Sequence, residues 1–502
     1  MNFVSATLYN QMKKISVIGA GLGGLSAAIR LAYKGYDVEV YEQNPEAGGK
    51  ACSLDINGFR FDTGPSLLTM PFVIEELFES VEENITGYIS INKLNMLCKY
   101  FYPNGTVINA YSDKDKFAKE IERKTTDNKE NLFKYLNYCK KIYELTSNIF
   151  LFNNLYSFSS YINFNAFKTL FSIGKMDSFR TMNQANSSFF KDEKTIQLFN
   201  RYATYNGSNP YECPATLNII SHVEYNLGGY YINGGMYKLT DVLYKLALKK
   251  GVKFHFNSNV NEIVTENNKI IGIKASDKFT KSETVISNSD VYSTYNKLLK
   301  DNSSKSAKKY NELEPSSSAL VFYWGVKIKS DSLEIHNILF SENYKKEFDE
   351  LFNEKICPID PTVYIYISSK FAKEDAPDGY ENWFVMINMP YIDEKLKITN
   401  YDLVKEGILK KIENLIGYDI KDKIICEKVM TPLDIERQTG SYKGSIYGIS
   451  SNSRKAAFLR QPNKSKEYKG LYFCGGSAHP GGGIPLVILS GKLCADLISK
   501  NN

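Results

Sequence analysis

The first 65 residues hold a pattern that few folds can accommodate. A short apolar strand at 15–18 is followed by three spaced glycines, Gly19, Gly21 and Gly24. An apolar helix comes next, and a second strand at 37–41 ends on the acid Glu42. A strand, a glycine turn, a helix and a second strand that ends on an acid are the context of a dinucleotide-binding fingerprint. The sequence therefore predicts a Rossmann-type unit at the start of the chain.

Each glycine of this turn has a physical role. Gly19 permits the tight turn, Gly21 lets the backbone approach a pyrophosphate, and Gly24 lets the helix pack closely on the strand. The helix N-terminus presents free N–H groups and a positive dipole end to the phosphates. Glu42 would accept hydrogen bonds from the adenosine ribose. The alternative is an ordinary glycine-rich turn, and the flanking strands, helix and acid argue against it.

A second glycine element follows Glu42 by six residues, in the run Gly48-Gly49-Lys50-Ala51. A fold that binds only a nicotinamide dinucleotide does not need it. Here the chain resembles the flavin-containing amine oxidase and carotenoid desaturase superfamily, in which such a turn passes along the diphosphate and ribityl chain. The resemblance implies FAD as the cofactor, with Gly49 and Lys50 as contacts. It also implies that the strand containing Val260 meets the adenine with its backbone.

The last 75 residues carry the second diagnostic block, GLYFCGGSAHPGGGIPLVILSGKLCADLI. A buried strand at 470–474 leads to Gly475. A glycine run that ends at Gly483 is followed by Ile484, where a helix begins with Pro485 in its first turn. Proline is tolerated there because its missing N–H would have no partner. This helix N-terminus is expected to face the flavin ring and to stabilise negative charge on it.

The middle of the chain contains the turn Asp177-x-x-Arg180-Thr181, an Asn-Gly-Ser-Asn-Pro loop and a Tyr-x-x-x-Gly-Gly-Met helix entry. Their order resembles the bacterial carotenoid desaturases and not the amine oxidases. The resemblance makes Asp177, Arg180 and Thr181 candidates for a catalytic base or an orienting network; a salt-bridged loop start is the alternative. His479, in the C-terminal glycine turn, is a further catalytic candidate, and the equal alternative is that it orients the loop.

The composition limits the partners. A net charge of +6 over 502 residues is too diffuse for a nucleic-acid binder but suits an anionic membrane surface. The eight cysteines are scattered without zinc spacing, so we expect reduced thiols, no disulfide and no metal. The sequence has no run of 18 uncharged apolar residues, so we expect no membrane-spanning helix. Residues 1–11 lack the basic region and the apolar block of a secretory signal. These observations predict a cytoplasmic protein, peripherally associated with the inner membrane.

One stretch, residues 145–176, has no acidic residue and is rich in aromatic side chains. Its only charges are Lys168 and Lys175, and it contains the aromatic residues Phe150, Phe152, Tyr156, Phe158, Tyr161, Phe164, Phe167 and Phe171. An apolar, weakly basic segment that is too short and broken to span fits an interfacial patch in the lipid headgroup region. The alternative is that these side chains belong to the core.

The predicted fold class is α/β: a Rossmann-type FAD-binding domain with a discontinuous α+β substrate domain. The FAD-binding domain is assigned to 13–95, 226–290 and 426–502. The substrate-binding and membrane-contact domain is assigned to 96–225 and 291–425, and residues 1–12 are an N-terminal extension. The oligomeric state is left open.

The C-terminal run His479-Pro-Gly-Gly-Gly-Ile-Pro-Leu resembles the branch of 1-hydroxycarotenoid 3,4-desaturases more than the phytoene desaturases. The resemblance implies a hydrophobic carotenoid substrate and hydride transfer from an allylic C–H to flavin N5, in a dry tunnel that positions the bond. Alternatives are a phytoene or dehydrosqualene desaturase, a polyene isomerase using the same flavin, and a flavin amine oxidase. A non-enzymatic carotenoid binder is least compatible with glycine turns at both ends of the chain.

Overall fold

The computed structural model describes residues 13–153, 176–301, 303–394, 396, 401–417, 419–453 and 460–500. In chain order its strands are β1 Lys14–Ile18, β2 Asp37–Tyr41, β3 Ser53–Ile56, β4 Phe59–Asp62, β5 Ile91–Lys93, β6 Met96–Phe101, β7 Val107–Tyr111, β8 Tyr230–Ile232, β9 Lys253–His255, β10 Val260–Glu266, β11 Lys269–Ala275, β12 Lys278–Lys281, β13 Thr284–Ser287, β14 Ser318–Val326, β15 His336–Leu339, β16 Val363–Tyr366, β17 Glu381–Met389, β18 Ile424–Met430 and β19 Leu471–Phe473. Its helices of eight or more residues are α1 Leu22–Tyr33, α2 Phe72–Glu79, α3 Lys114–Lys124, α4 Lys129–Phe150, α5 Met182–Phe189, α6 Glu193–Asn200, α7 Tyr237–Lys249, α8 Lys305–Glu312, α9 Tyr401–Ile416, α10 Pro432–Thr439 and α11 Ile484–Lys500.

A five-stranded parallel sheet has the order β19-β13-β1-β2-β9. Its central strand is apolar and buried on both faces, as a parallel sheet covered on both sides requires. The strand, turn and helix at the start of the chain therefore form the predicted Rossmann-type unit, and the predicted α/β class is confirmed. A three-stranded antiparallel sheet, β10-β11-β12, lies between β9 and β13 in the chain.

Helix α1 is buried along most of its length because it packs against both α11 and α7. The Ser26 hydroxyl donates to the Ile488 carbonyl at 2.8 Å, which joins α1 to α11. A Cβ on Gly491 would lie 2.5 Å from the Gly23 carbonyl oxygen, so glycine at this position allows the close approach. The first and the last of these helices, α1 and α11, thus pack against each other.

A seven-stranded mixed sheet has the order β18-β14-β17-β16-β15-β6-β7. Alternate side chains of β14 enter two different cores: Ala319 and Val321 enter one, and Leu320 and Phe322 enter the other. Helix α9 covers the second face. Successive side chains of a strand point to opposite faces of the sheet. Because α9 covers the face of Leu320 and Phe322, the face of Ala319 and Val321 is the one that can meet a ligand.

Several local elements follow from short sequence signals. The apolar runs at 319–326, 362–368 and 382–388 form most of β14, β16 and β17. The residues Pro103-Asn104-Gly105 lie in the turn that joins β6 to β7. Helix α7 ends before Gly251, whose φ of 89° favours glycine.

The predicted division into two domains stays a prediction. At one point the strands differ from it: β18 belongs to the seven-stranded sheet and continues through the predicted boundary at 426. A strand that is paired along its length belongs to a single sheet, so β18 is grouped with the seven-stranded sheet here. The predicted extension at 1–12 and most of the aromatic segment, 154–175, lie outside the described residues.

Among the described helices, none has the length and apolar content needed to cross a membrane. The described residues contain no group of three or more His, Cys, Asp or Glu side chains placed to bind a metal ion together. All eight cysteines are free thiols.

Candidate active site

A large cavity of about 880 Å³ is lined by residues of both large sheets. Its volume falls in the range of roughly 300–1,000 Å³ that is typical of small-molecule and cofactor sites. The turn after β1, the loop after β2 and the entry to α11 line one part of it. The inner face of the seven-stranded sheet lines another part, so the fold places the nucleotide fingerprint and an apolar wall around one space.

The glycine turns are packed around the side chain of Asn288, which follows β13. Its Nδ2 donates to the Gly19 carbonyl at 3.2 Å. A Cβ on Gly21 would lie 2.9 Å from this Nδ2, and a Cβ on Gly475 would lie 2.5 Å from the Asn288 Oδ1. Because both glycines also line the cavity, Asn288 holds the N-terminal and C-terminal turns together directly behind the predicted phosphate site.

Gly24 does not line the cavity and lies beneath the turn instead. A Cβ at this position would be 2.3 Å from the Gly19 carbonyl oxygen. This is the close packing of helix on strand that the sequence predicts for the third glycine.

Glu42 lies at the end of β2, lines the cavity and is 5% exposed. Its Oε2 accepts the Ala20 backbone N–H at 2.7 Å, and its Oε1 accepts the Asn44 backbone N–H at 3.0 Å. The Asn44 Nδ2 donates to the same Oε1 at 2.9 Å. A carboxylate has about four acceptor sites, so about one remains for a ribose hydroxyl. Glu42 therefore also fixes the glycine turn.

Lys50 lines the cavity, and its ammonium donates to the carbonyl oxygens of Ser445 and Ile446 at 3.1 and 2.9 Å. The side chain is open to the cavity but surrounded by protein, and this desolvation lowers its pKa to about 8, while the charge of Asp290 acts in the opposite direction. Burial raises the pKa of Asp290, and Lys50 partly offsets this effect. The two groups form an electrostatic pair on the wall of the cavity.

The C-terminal turn also meets the cavity. Gly475, Gly483 and Ile484 all line it, and α11 begins at Ile484 with Pro485 beside it. The free N–H groups of this helix start are therefore next to the cavity, where they favour negative charge. Val260, at the start of β10, lines the cavity as well.

His479 lines the cavity and is almost fully buried. Its Nε2 is 3.2 Å from the Asn153 carbonyl oxygen, just after α4. Desolvation lowers its pKa to about 4, so the ring is neutral at pH 7. A neutral imidazole donates to that carbonyl, which joins the C-terminal turn to the end of α4; a role in proton transfer stays a prediction.

Asp177, Arg180 and Thr181 are not among the described residues that line the cavity. Arg180 pairs with Asp177 at 2.6 Å, and the Tyr138 hydroxyl donates to the same carboxylate at 2.6 Å. Thr181 caps α5 in a capping box with Gln184. These contacts are the ones expected if the turn is only a salt-bridged loop start, which is the alternative to a catalytic role. The predicted catalytic role of the three residues gains no support from this placement and stays a prediction.

Two residues that line the cavity, Asn288 and Arg460, were not predicted from the sequence. Asn288 lies in a polar loop at the carboxyl end of a parallel strand, where ligands of such sheets bind, and this position is a signal that could have found it. Arg460 lines the cavity, and its guanidinium donates to the carbonyls of Tyr447 and Gly476 at 2.9 and 3.0 Å. No local pattern marks this arginine, because its partners come from other loops.

The residues present fit FAD. The glycine turn leaves room that a Cβ would fill, Glu42 offers an anionic acceptor for the ribose, and Lys50 and a helix start offer positive charge for phosphates and a reduced ring. The predicted cofactor residues that line this cavity are Gly19, Gly21, Glu42, Gly49, Lys50, Val260, Gly475, Gly483 and Ile484.

Several known proteins are similar to this chain. A 1-hydroxycarotenoid 3,4-desaturase from a Flavobacterium species is 44% identical over 492 residues, covering 98% of this chain and 100% of the relative. A 4,4'-diaponeurosporene oxygenase from Staphylococcus haemolyticus is 37% identical over 489 residues, covering 97% of each chain.

Solved structures share the fold at low sequence identity. An oxidoreductase from Methanosarcina mazei has a TM-score of 0.64 at 19% identity, covering 97% of this chain and 100% of its own. A variant of putrescine oxidase has a TM-score of 0.65 at 12% identity, covering 98% and 100%. The family model described as flavin containing amine oxidoreductase matches residues 22–499. With the flavin-compatible cavity and a match over nearly the whole chain, the protein belongs to the flavin-containing amine oxidoreductase family.

Proposed function

We propose that the protein is an FAD-dependent carotenoid desaturase that forms the 3,4 double bond of a 1-hydroxycarotenoid. The observation that carries the proposal is the cavity that joins the FAD-compatible turns to an apolar wall. The full-length similarity to a 1-hydroxycarotenoid 3,4-desaturase supports the same substrate class.

Glu42, Lys50 and the start of α11 would hold the cofactor. When bound, FAD supplies the acceptor for the hydride of an allylic C–H bond. Hydride loss leaves a cation that is delocalised along the polyene. Loss of a proton from the neighbouring carbon then completes the C=C bond, so that two electrons and two hydrogens leave the polyene. Because the cation is delocalised, this proton loss requires little acid–base assistance.

The apolar wall provides what the protein adds to this chemistry. Ala319 and Val321 of β14 and Phe384 and Met386 of β17 face the cavity from one side of the sheet. Such a wall excludes water and fixes a rigid polyene, and well-oriented reactants gain up to about 7–11 kcal/mol relative to free ones. The proton acceptor is not assigned; Asp177, Arg180, Thr181 and His479 stay candidates from the sequence.

A second function, oxygenation of a polyene end group, is favoured by the 37% identity to a 4,4'-diaponeurosporene oxygenase. Phytoene or dehydrosqualene desaturation, polyene isomerisation and amine oxidation complete the set of candidate reactions. The products on a polyene differ in mass: desaturation removes two hydrogens, oxygenation adds oxygen, and isomerisation changes nothing.

We also propose that the protein contacts the inner membrane peripherally from the cytoplasmic side. Thr146, Phe150 and Leu151, at the start of the aromatic segment 145–176, line the cavity. A lipid-facing segment next to the cavity would let an apolar substrate enter without crossing water.

The test is anaerobic incubation of the purified flavoprotein with acyclic and monocyclic carotenoids, phytoene and a primary amine. Flavin bleaching with 1-hydroxycarotenoids, together with a red-shifted product lighter by two hydrogens, is expected. Bleaching by phytoene alone would show an earlier desaturase, and bleaching by the amine alone would overturn the carotenoid assignment.

A further inference from the structure

A group of polar side chains interrupts the apolar wall of the cavity. It comprises His336 on β15, Tyr364 on β16, Ser66 and the buried pair Arg201 and Glu224, and all five line the cavity. Burying polar groups next to an apolar ligand space costs free energy unless they bind something there. The proposed FAD-holding residues do not include any of these five.

His336 is the member with an unused hydrogen-bonding atom. Only 3% of the residue is exposed. Its Nδ1 is 2.8 Å from the Tyr364 hydroxyl, whereas its Nε2 has no hydrogen-bond partner in the part of the chain that the structure describes. The Nε of Arg201 is a second buried atom without a partner in that part.

The orientation of the His336 ring is fixed by its neighbours. The ring stacks on Tyr366, with centroids 5.1 Å apart and planes 13° from parallel. The Tyr364 hydroxyl that contacts Nδ1 is itself 2.6 Å from the Ser66 hydroxyl. Because Nδ1 is occupied by Tyr364, Nε2 is the ring nitrogen that still lacks a hydrogen-bond partner among the described residues.

The charges of the group balance. Arg201 and Glu224 form an ion pair at 3.5 Å, and the hydroxyls of Tyr202 and Tyr205 donate to the same carboxylate at 2.8 and 2.7 Å. Burial lowers the pKa of His336 to about 3, so its ring is neutral at pH 7. A balanced wall favours a neutral ligand over a carboxylate, which Glu224 would repel.

A hydroxyl is a neutral group that suits both tautomers of His336. If Nδ1 accepts from Tyr364, Nε2 carries the hydrogen and needs an acceptor; in the other tautomer Nε2 needs a donor. A hydroxyl is both donor and acceptor, whereas a carbonyl only accepts.

The group also lies near the cofactor turn. Ser66 is two residues after Gly64, where a Cβ would be 1.9 Å from the Lys50 carbonyl oxygen. In a 1-hydroxy end group, a single carbon separates C1 from the C3–C4 bond. An oxygen anchor for such a substrate must therefore lie close to the place where the hydride leaves.

We propose that His336, oriented by Tyr364 and Ser66, binds the hydroxyl of the substrate end group and selects hydroxylated polyenes over their unhydroxylated counterparts. The proposal rests on the proposed function for the identity of the substrate, but its hydrogen-bonding requirement can be tested by binding alone. His336 acts in specificity and positioning, with no part in the electron transfer.

The experiment measures equilibrium binding, by the absorption shift of the polyene, and anaerobic flavin reduction with the flavin-loaded protein. The two ligands are a 1-hydroxycarotenoid and the same polyene without the hydroxyl. One buried hydrogen bond changes affinity by about 10- to 100-fold. The wild type should prefer the hydroxylated ligand by about that factor, and His336→Leu should lose the preference while binding the other ligand as before.

Three further variants complete the design. His336→Gln keeps a donor and an acceptor and should recover part of the preference. Tyr364→Phe removes the hydroxyl that orients the ring and should weaken the preference even if His336→Leu fails to fold. His222→Leu is the matched control, since His222 is buried, contacts Asn226 and does not line the cavity; its preference should stay at the wild-type value.

The outcomes separate the two proposals. Equal affinity of the wild type for both ligands, or an unchanged preference in His336→Leu, would overturn the assignment of His336. Preferential binding that depends on His336 without flavin reduction would support it and reject the desaturase. Oxidation of both ligands without any preference would retain the desaturase and reject the hydroxyl site.

Discussion

Asn288 shows how one side chain can require glycine at several distant positions. Its amide approaches the turn after β1 and the turn after β19, and a Cβ on Gly23 would lie 2.7 Å from its Oδ1. The carbonyl of Gly19 accepts from its Nδ2. The glycines of these two turns therefore leave room for the Asn288 side chain as well as for a phosphate. A side chain at Gly23 or Gly475 would displace Asn288 first.

Glu42 carries the first prediction at this scale: Glu42→Ala should lose FAD. The ribose would lose its anionic acceptor, and the Ala20 N–H, now bonded at 2.7 Å, would be left without one. Leaving a buried donor unsatisfied costs about 1–3 kcal/mol. The flavin-to-protein ratio after gel filtration measures the effect, and Glu42→Gln, which keeps a neutral acceptor, should lose less flavin.

Glu39→Ala is the matched control, because Glu39 lies on β2, three residues before Glu42, but binds Lys14 and Tyr41 and does not line the cavity. It should retain flavin at the wild-type ratio. Full retention of flavin in Glu42→Ala would reject the role of Glu42.

At the scale of the element, local patterns predicted the nucleotide half well. The turn after β1, the acid after β2 and the proline-containing start of α11 are short signals whose geometry follows from neighbouring residues. The order of the seven-stranded sheet was not predictable in this way. β6 pairs with β15, where Lys99 lies opposite Asn337, and no local pattern encodes contact across so long a separation.

The same limit applies to the candidate hydroxyl site. His336 stands alone in a short apolar strand, and its partner Tyr364 belongs to another strand. A lone histidine in a buried strand gives no signal in the sequence. Conversely, the Asp177 turn gave a family signal, and the structure places it in a helix cap and an ion pair away from the cavity wall.

The aromatic segment 145–176 carries the prediction at this scale. Replacing Phe164, Phe167 and Phe171 by Ser should weaken binding to anionic vesicles by about tenfold or more, because burying each ring contributes about 1.5–3 kcal/mol. Vesicle co-sedimentation measures the binding, and the flavin absorption should remain intact. These three residues lie outside the described residues, so the prediction rests on composition and on the cavity contacts of Phe150 and Leu151.

Phe279→Ser is the control for that prediction, since Phe279 is an exposed aromatic residue on β12. Its loss should leave vesicle binding unchanged. If the triple variant also bound vesicles like the wild type, the three rings would belong to the core or to another contact.

At the scale of the whole molecule, the cavity is built jointly by two sheets that each have their own core. A ligand in it contacts both, so it stabilises the folded state by mass action over the whole chain. Buried neutral histidines instead lower the free energy of unfolding at acidic pH, because they are protonated more readily in the unfolded state than in the folded one. Three of the four histidines are in this position: His222, His336 and His479 are each at most 5% exposed.

The last prediction is that the protein loses stability as the pH falls below about 6.5. Desolvation lowers the pKa of His222 and His479 to about 4 and that of His336 to about 3. An unfolded histidine titrates near 6.5, so the unfolded state binds more protons between that pH and the folded pKa. Stability rises with pH wherever the unfolded state binds more protons, so the contribution is complete above about 6.5 and is lost on acidification, by up to about 1.4 kcal/mol per pH unit for each histidine.

Urea unfolding of the flavin-loaded protein from pH 4.5 to 7.5 measures this slope. Buried carboxylates such as Glu347, whose pKa burial raises, act in the opposite direction, so the comparison is made between variants. His222→Gln removes one of the three groups without altering the cavity wall, and its slope should be shallower by about one proton. An identical slope in the wild type and His222→Gln would mean that His222 is not buried in the neutral form.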